Sequence, residues 1–399
     1  MDDIFAYTPS PDTTPENGPL RGLTAGIQPC FSVAGWPTDA GSRALAGYVA
    51  LEDATAVERL RRSGVVLCGL TRSSEFGFGL DGGRMGRAVE QGAVEMELAL
   101  DLMGESRLAA ALARVCAFKP SWGLVSRYGL IGLIPSMEGC ALLSRDTIRI
   151  REALTVLAGP DERDISLPDE GGADFCPAAI HPEETILGYI REVQEALAPE
   201  VREAFDKDLA DLQGAGFPVK SLSFPEFPLF SLVHGIVGAV EASSSAGRYD
   251  SVRYGQRTPG ARNWNDMYLQ SRGGAFGTLL KGYLFQGAYF QFEAYDAYED
   301  ACRIRARLVK AMEGLLNQAA FLVFPAINPA ASPQAASPAD LYDRFRFTLF
   351  ANVTGQPALY LPSSGGGGAP GLQWVGARRS DAGLLDLGDF LLRLRQGGV

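Results

Sequence analysis

Few side chains in this sequence stand where they could do chemistry, and the best placed of them are carboxylates. Glu105 follows Gly104 at the start of a helical pattern, with Asp101 before it and Ser106 and Arg107 after it. The first N–H groups of a helix favour an anion, so Glu105 is expected to serve there as a built-in negative charge. Asp81, set in Gly79-Leu80-Asp81-Gly82-Gly83-Arg84-Met85, is the second candidate. Acid–base work shared between Asp81 and Glu105 is one chemistry open to the pair. The two histidines offer less. His181 sits in a Pro-flanked loop and His234 on an apolar helix face, and neither has a Ser or Cys string nearby, so each reads as a satisfied structural histidine. The six cysteines, Cys30, Cys68, Cys116, Cys140, Cys176 and Cys302, form no C-x-x-C pair and suggest neither a zinc knuckle nor a disulfide framework. Cys116 and Cys140 also lack a basic neighbour that would activate a thiol. No metal and no cofactor is expected.

The elements that must position these residues alternate between helix and strand. Leu23–Ile27 reads as a strand after an extended, Pro-rich arm over residues 1–20. Asp53 is placed to cap a helix through Arg62 that stops at Gly64, and Val65–Leu70 reads as a buried strand. Helices are expected over Arg87–Leu102 and Arg107–Cys116, and from a Ser144 cap to Ala158. Further helices are expected near 183–197, 200–214, 229–246, across 275–317, and at Asp381–Arg395. Pro218–Phe224, Phe321–Pro325 and Leu372–Gly376 read as strands. Gly365–Gly368 reads as a hairpin tip rather than a phosphate cradle, because it opens no helix and lacks Lys-Ser/Thr. With 36 basic against 47 acidic residues, the net charge of −11 argues against a nucleic-acid surface. No apolar run is expected to reach the ~18 residues of a membrane span, and the N-terminus carries no signal-like core. A cytoplasmic chain is the expectation.

One stretch organises the rest: Phe118-Lys119-Pro120-Ser121-Trp122-Gly123-Leu124-Val125-Ser126-Arg127-Tyr128-Gly129-Leu130-Ile131. It resembles the segment after the catalytic serine in the amidase signature family, with its closest likeness in the A subunit of the tRNA-dependent amidotransferase. Glu241-Ala242-Ser243-Ser244, Arg248–Gly255 and Tyr295-Asp296-Ala297-Tyr298 resemble the same subunit. The resemblance runs over roughly residues 20–395. It implies an α/β amidase signature fold, a mixed, twisted central sheet covered by helices on both faces, over residues 21–399.

In that family a Lys activates a Ser through a second Ser, and backbone N–H groups of a Gly-rich turn stabilise the oxyanion. The residues matching the three positions differ here. Gln28 of Gly26-Ile27-Gln28-Pro29 stands in place of the Lys, Asp81 in place of the second Ser, and Glu105 in place of the nucleophile. Asp101, Gly104 and Arg107 match the family's Asp-x-Gly-Gly-Ser-x-Arg string, and with Glu105 and Ser106 they are the candidate pocket residues. Ser106 lies one step along the helix, which turns a side chain by about 100°.

Three readings follow from the resemblance. The first is an amidase homologue without catalysis, kept for assembly or for binding a small molecule. The second is chemistry changed to use Asp81 and Glu105. The third is a working amidase, or an amidotransferase A-type subunit, that hydrolyses a C–N amide bond. The family usually has a helical segment before its Gly-Ile-Lys strand, where only the short arm precedes Leu23 here. Apolar surface left open in this way points to a homodimer, or to a heteromer with an active paralogue or accessory subunit, with no direct nucleic acid and no membrane.

Overall fold

The computed structural model describes residues 4–10, 17–167, 173–328, 331, 334–363 and 371–395. Its described strands are β1 (Phe5–Tyr7), β2 (Thr24–Ile27), β3 (Val66–Thr71), β4 (Met96–Asp101), β5 (Cys116–Lys119), β6 (Gly139–Ser144), β7 (Leu187–Ile190), β8 (Val219–Leu222), β9 (Phe321–Pro325), β10 (Ala358–Leu361) and β11 (Leu372–Gly376). They form one mixed sheet in the order β1-β3-β2-β4-β6-β5-β10-β11-β9-β7-β8. β2 pairs parallel with both β3 and β4, and β7 with β8 and β9; the centre, from β4 to β9, is antiparallel. Successive residues of a strand face opposite ways. In β10, Leu359 meets Gly388 of the C-terminal helix Asp381–Arg395, whereas Tyr360 packs with Ala109 and Ala113 of the helix Glu105–Ala113. Helices therefore cover both faces, as an α/β fold requires.

Sequence and structure agree on strands where β-branched and aromatic residues mark the run, as in β9 and β11. They part at β4. Met-Glu-Leu-Ala-Leu-Asp has good helix formers throughout, yet only Arg87–Glu90 is helical and all six residues of Met96–Asp101 are a buried strand. Burial on both faces overrides the weak propensity. The same applies to 183–197, where Leu187–Ile190 is the strand β7 and only Arg191–Glu195 is helical. Cys116 likewise opens β5, because Arg114 ends the preceding helix in a left-handed turn (φ 54°).

The helix Thr147–Leu157 is capped by the Asp146 side chain on Arg149 N–H, not by Ser144, which closes β6. Asp53 caps nothing; it accepts from Ala34 N–H and pairs with Arg61. The 275–317 segment contains two helices, Thr278–Phe292 and Tyr295–Leu316, preceded by Trp264–Ala275. Part of the N-terminal arm is the strand β1, antiparallel to β3. The Gly365–Gly368 tip lies outside the described residues.

Among the described residues one helical run, Leu229–Ala246, is long and apolar enough by length and composition to cross a membrane, and 61% of it is buried inside the fold. It packs as a core helix: its Phe230 lies on Phe224, Phe227 and Phe350. The run carries a widened turn at His234–Gly238, a feature often found at functional positions.

Candidate functional site

The turn Leu102-Met103-Gly104 carries the chain from β4 into the helix Glu105–Ala113. Gly104 has φ 114°, and a Cβ on it would lie 2.2 Å from Thr348 Oγ1, so the turn has no room for a side chain there. The Glu105 side chain folds back over this turn. Its Oε2 accepts from Leu102 N–H and Met103 N–H, both at 2.8 Å, and its Oε1 accepts from Gly79 N–H at 3.3 Å. Burial and the charge of Asp101 push the Glu105 carboxyl up, to about 8, against the pull of the amides. The carboxyl expected as a built-in anion therefore rests on the turn that precedes the helix, and its raised pKa favours the neutral form at physiological pH.

Beside it, Asp101 is tied on both oxygens. Oδ1 accepts from Gly104 N–H, Asn352 Nδ2 and Arg107, while Oδ2 accepts from Ser106 N–H and the Ser106 hydroxyl. Burial alone would raise this carboxyl; Arg107, Ser106, Lys119 and Asn352 together hold it below the ordinary carboxylate range. Arg107 is fully buried and also donates to Thr348 O, Gln373 Oε1 and Asn352 Oδ1. The structure thus brings Asp101, Gly104, Glu105, Ser106 and Arg107 together but seals them. The four side chains are 0% exposed, so they do not line an open pocket. Ser106 donates its hydroxyl to the Asp101 carboxylate.

Gln28 is buried at the end of β2. Its Nε2 donates to Ser73 Oγ at 2.8 Å and its Oε1 accepts from Leu100 N–H at 2.6 Å. Asp81 is placed elsewhere, accepting from Ala335 N–H at 3.2 Å and pairing with Arg344 at 3.4 Å. No hydrogen bond joins Asp81 to Glu105 or to Gln28 among the described residues. His181 is an exposed loop residue before a short 3-10 turn. Cys116 and Cys140 are buried, and burial pushes both thiols up to about 12. Among the described residues no group of three or more His, Cys, Asp or Glu could hold a metal ion.

Sequence reasoning missed what covers this turn. His234 Nε2 lies 3.0 Å from Leu102 O, His234 Nδ1 lies 2.8 Å from Tyr342 Oη, and Tyr342 Oη lies 3.0 Å from Tyr283 Oη. Burial holds the imidazole down to about 4, so it is neutral at physiological pH. Leu102 O can only accept, which fixes the proton on Nε2, and Tyr342 must then donate to Nδ1. Tyr283 in turn stacks on Phe78 at 4.5 Å, just before Gly79. The only sequence signal for this lid was a histidine on an apolar helix face; its tyrosine partners lie 49 and 108 residues away. Tyr342 also lines an open cleft of about 320 Å³ with Glu192, Phe227, Arg346 and Phe347.

A mixed sheet lies between helical layers, and a glycine turn feeds a helix from its strand β4. Residues 6–90 and 82–385 match the Amidase family, and the chain belongs to it. Among its relatives, the A subunit of glutamyl-tRNA(Gln) amidotransferase from Natronomonas pharaonis is 30% identical over 407 residues, spanning 94% of this chain and 96% of that protein. The solved A subunit of the same enzyme from Thermotoga maritima superimposes with a TM-score of 0.78 at 22% identity, covering 96% of this chain and 85% of that one. The peptide amidase from Stenotrophomonas maltophilia gives 0.76 at 22% identity, covering 96% and 84%. At these identities the two superpositions speak for the fold alone.

Proposed function

We propose that this Amidase-family chain does not hydrolyse amides by Ser-Ser-Lys chemistry and has kept the fold for assembly or for binding a small molecule. The observation that carries this is the Glu105 carboxylate, sealed from solvent on the N–H groups of Leu102, Met103 and Gly79. Donors of an oxyanion turn act on charge that develops during reaction. Here they are already occupied by a side chain of the protein's own. Gln28 at the position matching the family Lys cannot accept a proton at neutral pH, and its amide is committed to Ser73 and Leu100. Loss of triad members typically costs about 10⁴–10⁶ in rate. The open cleft lined by Glu192, Phe227, Tyr342 and Arg346 is the candidate place for a small ligand.

The relatives favour a second reading, amide hydrolysis by an amidase or by an amidotransferase A-type subunit. Identity of 30% across nearly the whole length with a protein of that kind is the observation behind it. The same kinship supports a place within a heteromer. Ammonia release from glutamine, asparagine and simple amides, by the pure chain and with any co-purifying chains, separates the readings. No release is expected. Release that survives Glu105→Ala would establish the amidase reading instead, and release abolished by it would point to the changed chemistry of Asp81 and Glu105.

A further inference from the structure

The helix Thr278–Phe292 buries one side deeply. Leu280, Tyr283, Leu284 and Gly287 face the core, and a Cβ on Gly287 would lie 1.9 Å from Ala239 O, so the helix is seated close against Ala239–Ala246. Its other side is unusual. Phe285 is 73% exposed, Tyr289 56% and Phe292 75%, and Tyr295 at the start of the next helix is 52% exposed. Spacings of four and three residues put Phe285, Tyr289 and Phe292 on one stripe. At roughly 200 Å² per aromatic side chain, these four leave about 500 Å² of mostly apolar surface in water. That is at the upper end for one patch on a monomer.

The charges beside the stripe say what covers it. Lys281 lies one turn before Phe285, and its ammonium spends one donor on Gly273 O. Glu293 lies one turn after Tyr289, and its carboxylate has no partner among the described residues. Both are centred on Gly287, six residues to either side, as Phe285 and Tyr289 are two residues to either side. Two copies of this helix laid antiparallel about a two-fold axis level with Gly287, on the exposed face opposite it, would set Phe285 against Tyr289 and Lys281 against Glu293, each pairing twice. Phe292 would then meet Gly282, where a Cβ would find nothing nearer than Pro338 at 3.8 Å, so the surface has a slot for the ring. Such self-complementarity is what an isologous contact requires. Two such faces bury about 1,000 Å², the lower bound for a specific interface.

We propose that the Phe285–Tyr289–Phe292 face is the interface of a homodimer of this chain. This deepens the assembly part of the function proposed above and does not depend on whether the chain hydrolyses amides. Sedimentation velocity on the full chain at micromolar concentration tests it. The wild type is expected to be a dimer, and Phe285→Glu with Tyr289→Glu, which sets glutamates against each other across the axis, a monomer with an unchanged far-UV circular dichroism spectrum. Lys281→Glu alone should weaken association about tenfold, since two exposed attractive pairs become repulsive. Lys281→Glu with Glu293→Lys should restore it, because the two residues lie too far apart on one helix to compensate within a chain. A monomeric wild type, a dimer indifferent to the double Glu variant, or a charge swap that fails to restore association would each overturn the interface. So would a different chain occupying this face. Heteromeric assembly and the absence of amide hydrolysis are read by separate measurements and would stand.

Discussion

Replacing Glu105 by Gln keeps the shape of the side chain and removes its charge, and the structure sets the sign of the effect. The amide oxygen of Gln can take the Oε2 place and accept from Leu102 and Met103, both 2.8 Å away in the wild type. Its NH₂ then faces Gly79 N–H, so the longest contact, 3.3 Å, is the one lost. Losing one such contact costs about 1–2 kcal/mol. Against this stands the wild-type titration, in which the folded carboxyl is raised from 4.5 to about 8 by burial and by Asp101. A raised folded pKa means the folded chain holds its proton more tightly than the unfolded chain. The associated stability is fully present below about pH 4.5 and is lost as pH rises through about 8. The slope reaches about 1.4 kcal/mol per pH unit, and the loss from pH 5 to pH 8 is on the order of 3 kcal/mol. Wild type should therefore be the more stable protein at pH 5 and Glu105→Gln should equal or surpass it at pH 8. Urea midpoints of both proteins between these pH values measure the difference directly. Glu97, also raised to about 7 by burial, is present in both and drops out of the comparison. Wild-type and variant curves that run parallel with pH would refute the reasoning, because they would mean the three amides keep Glu105 ionised throughout.

The remaining predictions concern packing and access. Gly287→Ala pushes a methyl to 1.9 Å from Ala239 O and should cost about 1–3 kcal/mol, read as a lower thermal midpoint. Arg107→Ala leaves Asp101 buried without its cation and should cost about 3–5 kcal/mol, and the chain should be recovered poorly or unfold early in urea. Iodoacetamide under native conditions at pH 8 should label exposed Cys176 and spare Cys30, Cys116 and Cys140, whose buried thiols are pushed far up; peptide mass spectrometry reads the outcome.

Much of the layout was legible because it rests on local signals. Pro120, Gly123 and Gly129 mark the loop after β5, and β9 and β11 announce themselves by apolar runs. The losses have a common cause. In β4 the helix-forming residues are overruled by burial, and Glu97 is accommodated inside because the Thr71 hydroxyl and Gly86 N–H donate to its oxygens at 2.7 Å. Thr71 lies 26 residues away, outside any short window of sequence. The candidate site divides the same way. Asp101, Gly104, Glu105 and Arg107 were found because they are neighbours in sequence. His234 was read as a satisfied structural histidine, and it is one; Ser73, Tyr283, Tyr342, Asn352 and Gln373 were missed because only tertiary folding brings them there.

The manner in which Gln28, Asp81 and Glu105 are satisfied bears on the function proposed above. Residues that merely replaced a catalytic set would leave its donors and acceptors without partners, and a buried polar group left so costs about 1–3 kcal/mol. Gln28 instead uses both ends of its amide, joining Ser73 on one side to the β4 backbone on the other. Asp81 ties its loop to Ala335 and Arg344. Glu105 takes the turn amides, and the carbonyl of the same turn is taken by His234. Every one of these bonds joins segments distant in sequence except those Glu105 makes to its own turn. The residues at the heart of the fold thereby act as cross-links between β2, β4 and the aromatic lid. A fold retained for holding a partner or a ligand gains from such cross-links, whereas a site that must admit an amide and a water would have to break them.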